Sequence, residues 1–183
     1  PSSGFADMFL KTMISEDGAY DANKSLLFRV PGQGGKSITA LNKNGESPER
    51  YESLVRGIRR GHALATAQSK TFNVPCFTWT QGEQDVYDGM SLTTYKNLLI
   101  GLRNDIDADA KAITSQTNNV KCIMYQTASH NRYFLTSLQA ARVKNPYIAV
   151  AQYQLAIESN NDFYMATPLY PFDYNSDNVH LRA

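Results

Sequence analysis

Asp177 and His180 stand three residues apart near the end of the chain. A turn between them lets the carboxylate accept a hydrogen bond from one imidazole nitrogen. The other nitrogen is then left as a general base toward a serine hydroxyl. The spacing is common, and a surface loop with two polar residues carries it equally well. A second group follows an apolar run: Trp79-Thr80-Gln81-Gly82-Glu83-Gln84-Asp85. Gln81 brings an amide donor suited to a developing oxyanion. Gly82 lets the backbone turn tightly, and Glu83 can hold a catalytic histidine or another site residue. The plainer alternative is a polar loop with a capping acid.

A third group, Gly32-Gln33-Gly34-Gly35-Lys36-Ser37, offers bare backbone N–H groups. They suit an oxyanion or a phosphate. Gly35-Lys36-Ser37 imitates the end of a P-loop, but that motif needs a glycine five residues before Gly35. Val30 stands there, and Gly45 follows too soon for the long helix that a P-loop feeds. Nucleotide binding is therefore disfavoured.

The other candidates are weaker. His130, in Ser129-His130-Asn131-Arg132, follows an apolar run and is a candidate for touching substrate. An ordinary loop histidine is the simpler expectation. His62 falls on the apolar stripe of a helix, where a satisfied, partly buried histidine is expected. Cys76 and Cys122 sit in apolar runs and read as buried thiols acting as small hydrophobes. With three histidines and no cysteine-rich spacing, no metal site and no cofactor are expected.

Apolar runs and helical patterns alternate, which points to an α/β protein with a parallel sheet covered by helices. Ala6, Phe9, Leu10 and Met13 recur at helical spacing. Ser25 to Val30 reads as a strand, and Ser37 to Leu41 as the start of a short helical turn. Ser47-Pro48 marks a helix start. Tyr51, Leu54, Val55, Ile58, His62 and Ala65 then share one face, and the helix is expected to end near Lys70.

Val74 to Trp79 reads as a buried strand, and Thr80 to Gly89 as a polar loop. Ser91 opens a long helix with the stripe Leu92, Tyr95, Leu98, Leu99, Leu102 and Ile106. Val120 to Tyr125 is the next strand, followed by a helix carrying Leu135, Leu138 and Ala141. Another helix covers Ile148 to Ile157, and Phe163 to Leu169 is the last strand. In such sheets chemistry gathers at the carboxyl ends of the strands. The loops Pro31–Ser37, Thr80–Gly89, Gln126–Tyr133 and Tyr170–His180 should therefore converge on one edge.

Bulk properties narrow the partners. The 183 residues suit one domain, and a net charge of +1 gives no electrostatic reason to expect nucleic acid. No apolar stretch reaches the ~20 residues needed to cross a bilayer, so no membrane partner is expected. The chain opens Pro1-Ser2-Ser3 and ends three residues after His180, and both ends read as cuts from something longer.

Taken in order, the three loops resemble the SGNH hydrolases, and within them the sialate O-acetylesterase and acetylxylan esterase-like branch. Trp79-Thr80-Gln81-Gly82-Glu83-Gln84-Asp85 is similar to that branch's WxQGExD block. Gly34-Gly35-Lys36-Ser37-Ile38 is similar to its glycine-rich second block, and Asp177-Asn178-Val179-His180-Leu181 to its terminal DxVH block.

The resemblance implies a flavodoxin-like three-layer α/β/α sandwich with a mainly parallel sheet, in one domain spanning 1–183. It implies a serine-dependent carbohydrate O-acetylesterase working through an acyl-enzyme on an acetylated polysaccharide or glycan. His180 would be the base, with Asp177 and Glu83 as orienting acids. Gly34 or Gly35 would give a backbone N–H to the oxyanion hole, and Gln81 a side-chain donor.

The family's serine block has no match here. Ser2 and Ser3 lack its glycine and its preceding strand, and Ser37 belongs to the second block. The first strand and the nucleophile are therefore expected on an upstream segment, which makes this domain N-terminally incomplete. The alternative is a non-catalytic carbohydrate-binding relative that lost its serine. Trp79, Tyr133, Tyr170 and Phe172 could stack on sugar faces, although packing is the simpler expectation for most of them. A glycan-degrading role suggests an extracellular, cell-surface or virion-associated protein.

Overall fold

The computed structural model describes residues 25–128, 146–175 and 182. Helix α1 is Ile38–Leu41 and α2 is Pro48–Ala67. Strand β1 (Cys76–Trp79) is followed by α3 (Glu83–Asp88) and α4 (Leu92–Thr114). Strand β2 (Lys121–Gln126), helix α5 (Tyr147–Glu158) and strand β3 (Phe163–Pro168) complete the order. The strands form an open, all-parallel sheet in the order β1-β2-β3. Parallel neighbours need crossovers, and α4 and α5 lie in those connections.

Local chemistry explains the helices. Ser37 caps α1 by accepting a hydrogen bond from the Ala40 N–H at 3.3 Å. Pro48 begins α2, where its missing N–H costs nothing. Ser91 caps α4 through the Thr94 N–H at 3.1 Å. The expected apolar stripes are buried: Tyr51, Val55 and Ile58 on α2, and Tyr95, Leu99, Leu102 and Ile106 on α4. Helix α2 packs on α4, α4 on α5, and α5 on β2 and β3. Phe77, Trp79, Cys122, Met124 and Phe163 share the sheet face that joins this core. On the other face, Thr78 and Tyr164 are exposed.

Two expectations need correction. Ser25–Val30 is not a strand. A ladder requires a neighbouring backbone, and among the described residues β1 pairs only with β2. The segment instead lies along α2. The Arg29 stem covers Gly57, and its guanidinium donates to the Ser53 carbonyl at 3.0 Å and to the Ser53 hydroxyl at 2.6 Å. Leu27 and Val30 remain 61% and 77% exposed, so the run's apolar character does not place it in the core.

Thr80–Gly89 is likewise not a plain loop, because α3 forms within it and ends at Gly89 in the left-handed region. The segments 1–24 and 129–145, with the expected helices around Ala6–Met13 and Leu135–Ala141, lie outside the described residues. His62 is partly buried, as expected, and its Nδ1 has no hydrogen-bond partner among the described residues.

The amino end of the sheet is fastened by Arg103 of α4. This side chain is 6% exposed; its Nε donates to the Val120 carbonyl at 2.9 Å, and its Nη2 to Asp162 at 2.8 Å. Val120 and Asp162 immediately precede β2 and β3. One guanidinium thus joins the starts of both strands, leaving the opposite edge for the loops expected to carry chemistry.

Candidate functional site

At the carboxyl edge, three loops meet around a buried polar cluster. Asp85 of α3 is fully buried. Both of its oxygens accept from the Ile38 N–H at 3.1 Å, and Oδ2 also accepts from the Gln81 amide. The Gln81 amide nitrogen donates in addition to the Lys36 carbonyl at 3.1 Å. The turn at Gly34–Ser37 is thereby tied to the loop that follows β1. Burial pushes the Asp85 carboxyl up to about 6, against the lowering effect of its Gln81 and Ile38 hydrogen bonds.

The cluster extends into the helices. The Tyr95 hydroxyl, on α4, lies 3.2 Å from both carbonyl oxygens of Gln81 and accepts from the Trp79 indole N–H at 3.2 Å. Gln152, fully buried on α5, donates to the Gln81 backbone carbonyl at 2.9 Å. Its side-chain oxygen accepts from the Thr127 N–H at 2.8 Å. The loops after β1 and β2 are therefore fixed to each other and to two helices. Such a satisfied buried network holds one geometry firmly, since any partner lost leaves a polar atom dry.

Gly82 makes the close approach possible. Its φ is +148°, and a Cβ there would stand 3.1 Å from side-chain carbons of both Ile148 and Thr127. Only glycine combines that backbone conformation with that packing.

Glu83 begins α3 and reaches the end of β2. Its Oε1 accepts from the Tyr125 hydroxyl and, at 3.2 Å, from the Thr127 hydroxyl. Burial raises the Tyr174 phenol above the usual range, and the Glu83 charge adds to that; the Tyr174 hydroxyl itself donates to the Leu169 carbonyl at 3.4 Å. On either side of the Asp177–His180 block, the Arg182 N–H donates to the Asp173 carbonyl at 2.8 Å.

The Gly34–Gly35 turn is exposed, and Gly35 has φ +68°. Neither glycine would bring a Cβ within 4 Å of another group, so the space before the turn is open. Among the described residues, neither backbone N–H has a hydrogen-bond partner. These are the properties an anion-receiving turn requires.

The expected site residues thus divide. Gly34, Gly35, Gln81 and Glu83 belong to one edge of the sheet. Asp177, His180, His130 and Tyr133 lie outside the described residues. The expectation for Gln81 changes: both hydrogens of its amide are already donated, to Asp85 and Lys36, and its side chain is buried. In this geometry Gln81 braces the turn rather than aiming a donor at substrate. Trp79 is also turned inward, through its indole bond to Tyr95, and is not a sugar platform. Tyr170 and Phe172 are exposed at 65% and 49%.

Sequence reasoning included Asp85 in the candidate group but gave it no role, and it missed Tyr95, Tyr125 and Gln152 as members of the site. Asp85 closes the motif around Gln81 and Glu83, which was its available signal. The other three carry no local signal, because their roles come from contacts between distant segments. Among the described residues, no three His, Cys, Asp or Glu side chains gather as metal ligands, and no helix is long and apolar enough to cross a membrane. A hollow of about 450 Å³ beside the α1–α2 connection shares no residue with this edge. Compared with known protein families, with curated proteins and with solved structures, the chain returns no match.

Proposed function

We propose that this chain forms most of a serine-dependent carbohydrate O-acetylesterase with a flavodoxin-like, three-layer α/β/α architecture. The nucleophile and its strand come from a segment upstream. The observation that carries the reading is the junction of Gly34–Ser37 with Gln81–Asp85 at the carboxyl edge of a parallel sheet. Two motif blocks far apart in sequence are linked there by buried hydrogen bonds. The open glycine turn supplies backbone donors for the oxyanion.

In the mechanism, His180 removes the proton from the serine as it attacks the acetyl carbonyl. Asp177 and Glu83 orient the imidazole and stabilise its charged form. The Gly34–Gly35 N–H groups receive the oxyanion, and His180 then gives its proton to the departing sugar oxygen, which leaves as a hydroxyl. Water deacylates the enzyme by the same route and releases acetate. His130 contacts the glycan, and Tyr170 and Phe172 offer rings for its sugar faces. The substrate class places the protein outside the cell, on a surface or on a virion.

The test is acetate release from an acetylated polysaccharide by the chain joined to its serine-bearing segment. His180→Ala should lower turnover by at least ~10³-fold. Unchanged turnover would remove the triad. The second reading, a carbohydrate-binding relative without chemistry, draws on the fully committed Gln81 amide. Saturable glycan binding without acetate release, and no serine labelled by a fluorophosphonate, would favour it.

A further inference from the structure

We infer that Asp85 is a positioning residue whose carboxylate sets the Gly34–Ser37 turn for hydrogen bonding to the transition state. The inference rests on the esterase reading of the site. Three observations meet. Asp85 is fully buried, although an ionisable side chain in that position must overcome the loss of water. Its two oxygens receive the Ile38 N–H, the first backbone N–H of α1, directly after the turn. The Gln81 amide that donates to Asp85 also holds the carbonyl of Lys36, next to Gly35. The chain is therefore gripped at both Lys36 and Ile38, and the exposed glycines immediately before them inherit their direction from that grip.

The acid type matters. Asp85 faces two donors, the Ile38 N–H and the Gln81 amide, and a carboxylate accepts from both without offering a hydrogen of its own. Asparagine has nearly the same shape but replaces one oxygen with an NH₂ group. A donor then meets a donor, and one side of the grip opens. The substitution disturbs the turn without emptying the core.

Two readouts test this on the protein with its serine-bearing segment. In Asp85→Asn the Ile38 amide should exchange with solvent at least ~10-fold faster, while the Leu99 and Met124 amides keep their protection. The same variant should lose at least ~10-fold in kcat with KM held within about twofold, because the oxyanion donors act in the transition state. Glu52→Gln, on the exposed side of α2, should leave both unchanged. Unaltered Ile38 exchange, or unaltered kcat in an active protein, overturns the inference. A wild-type protein without turnover overturns the esterase reading instead, and the exchange comparison still decides whether Asp85 holds the turn.

If Asp85→Asn does not fold, the wild-type protein supplies the test. The Ile38 amide resonance should titrate as one proton with a midpoint near 6. The groups nearest Asp85 that bear on this are Asp88, on its own helix, and the Tyr95 phenol, facing it from α4. The Tyr95 phenol is raised far above this range by burial and does not titrate there. A flat Ile38 resonance from pH 4 to pH 8 counts against the grip.

Discussion

Asp85 keeps an ionisable group where water does not reach, and that has a thermodynamic signature of its own. Its carboxyl is raised from 3.8 to about 6 by burial. Between those values the folded state binds more protons than the unfolded state, so the contribution to stability falls as pH rises through this window. It is fully present below pH 3.8 and lost above about 6. Across the whole window this corresponds to about 3 kcal/mol. We expect wild type to gain about 2 kcal/mol of that on Asp85→Asn between pH 7 and pH 4, measured by urea denaturation. A constant difference between the two would contradict it. Asp107 and Asp109 have lowered carboxyls and act in the opposite sense, losing their contribution only as pH falls below the usual carboxylate range. Glu83 poses a separate test. Glu83→Gln keeps an acceptor for Tyr125 and Thr127 but removes the charge. If, as proposed, Asp177 shares the orienting role, acetate release should fall by about 10-fold rather than vanish; no change would assign the imidazole to Asp177 alone.

At the level of elements, the helices were legible because their signals are local. Ser91, the stripe from Tyr95 to Ile106, and the Ser47-Pro48 start all lie within the segments they define. Leu99 is fully buried where α4 contributes to the core. Leu99→Ala should cost about 3 kcal/mol in chemical denaturation, and a loss below about 1 kcal/mol would mean that the helices close over the gap. Arg103 was not singled out from sequence, since an arginine on an amphipathic helix usually faces water. Arg103→Met would strand the Val120 carbonyl and leave Asp162 with its longer 3.3 Å pairing to Lys121. We expect about 2 kcal/mol of destabilisation, with melting by circular dichroism as the check. Ser25–Val30 shows the limit of local patterns: the run has strand composition, but pairing depends on a neighbour that the run does not encode.

Across the whole molecule, β1 is paired on one side only among the described residues, and Ser25–Val30 leaves apolar side chains in solvent. The proposal of an upstream strand gives both features one explanation. The isolated 183-residue chain should then show no serine-dependent ester hydrolysis. Joining the serine-bearing segment should both restore turnover and raise the melting temperature by several degrees, as expected for a few kcal/mol of added packing. Sustained acetate release by the isolated chain would overturn the incomplete-site reading.

The sequence by itself determined the α/β alternation, the helix starts and stripes, and the loops in which polar and glycine residues concentrate. Those features depend on periodicity and on neighbours within a few residues. Only the tertiary structure decided what each polar residue faces. Ile38 and Asp85 are 47 residues apart, and Glu83 and Tyr125 are 42 apart. Folding turned Gln81 inward to brace the glycine turn, buried Asp85 beneath it, and set Glu83 against Tyr125 and Thr127 at the end of β2. Burial and distant hydrogen-bond partners fix those orientations, and neither is written in the local pattern of side chains.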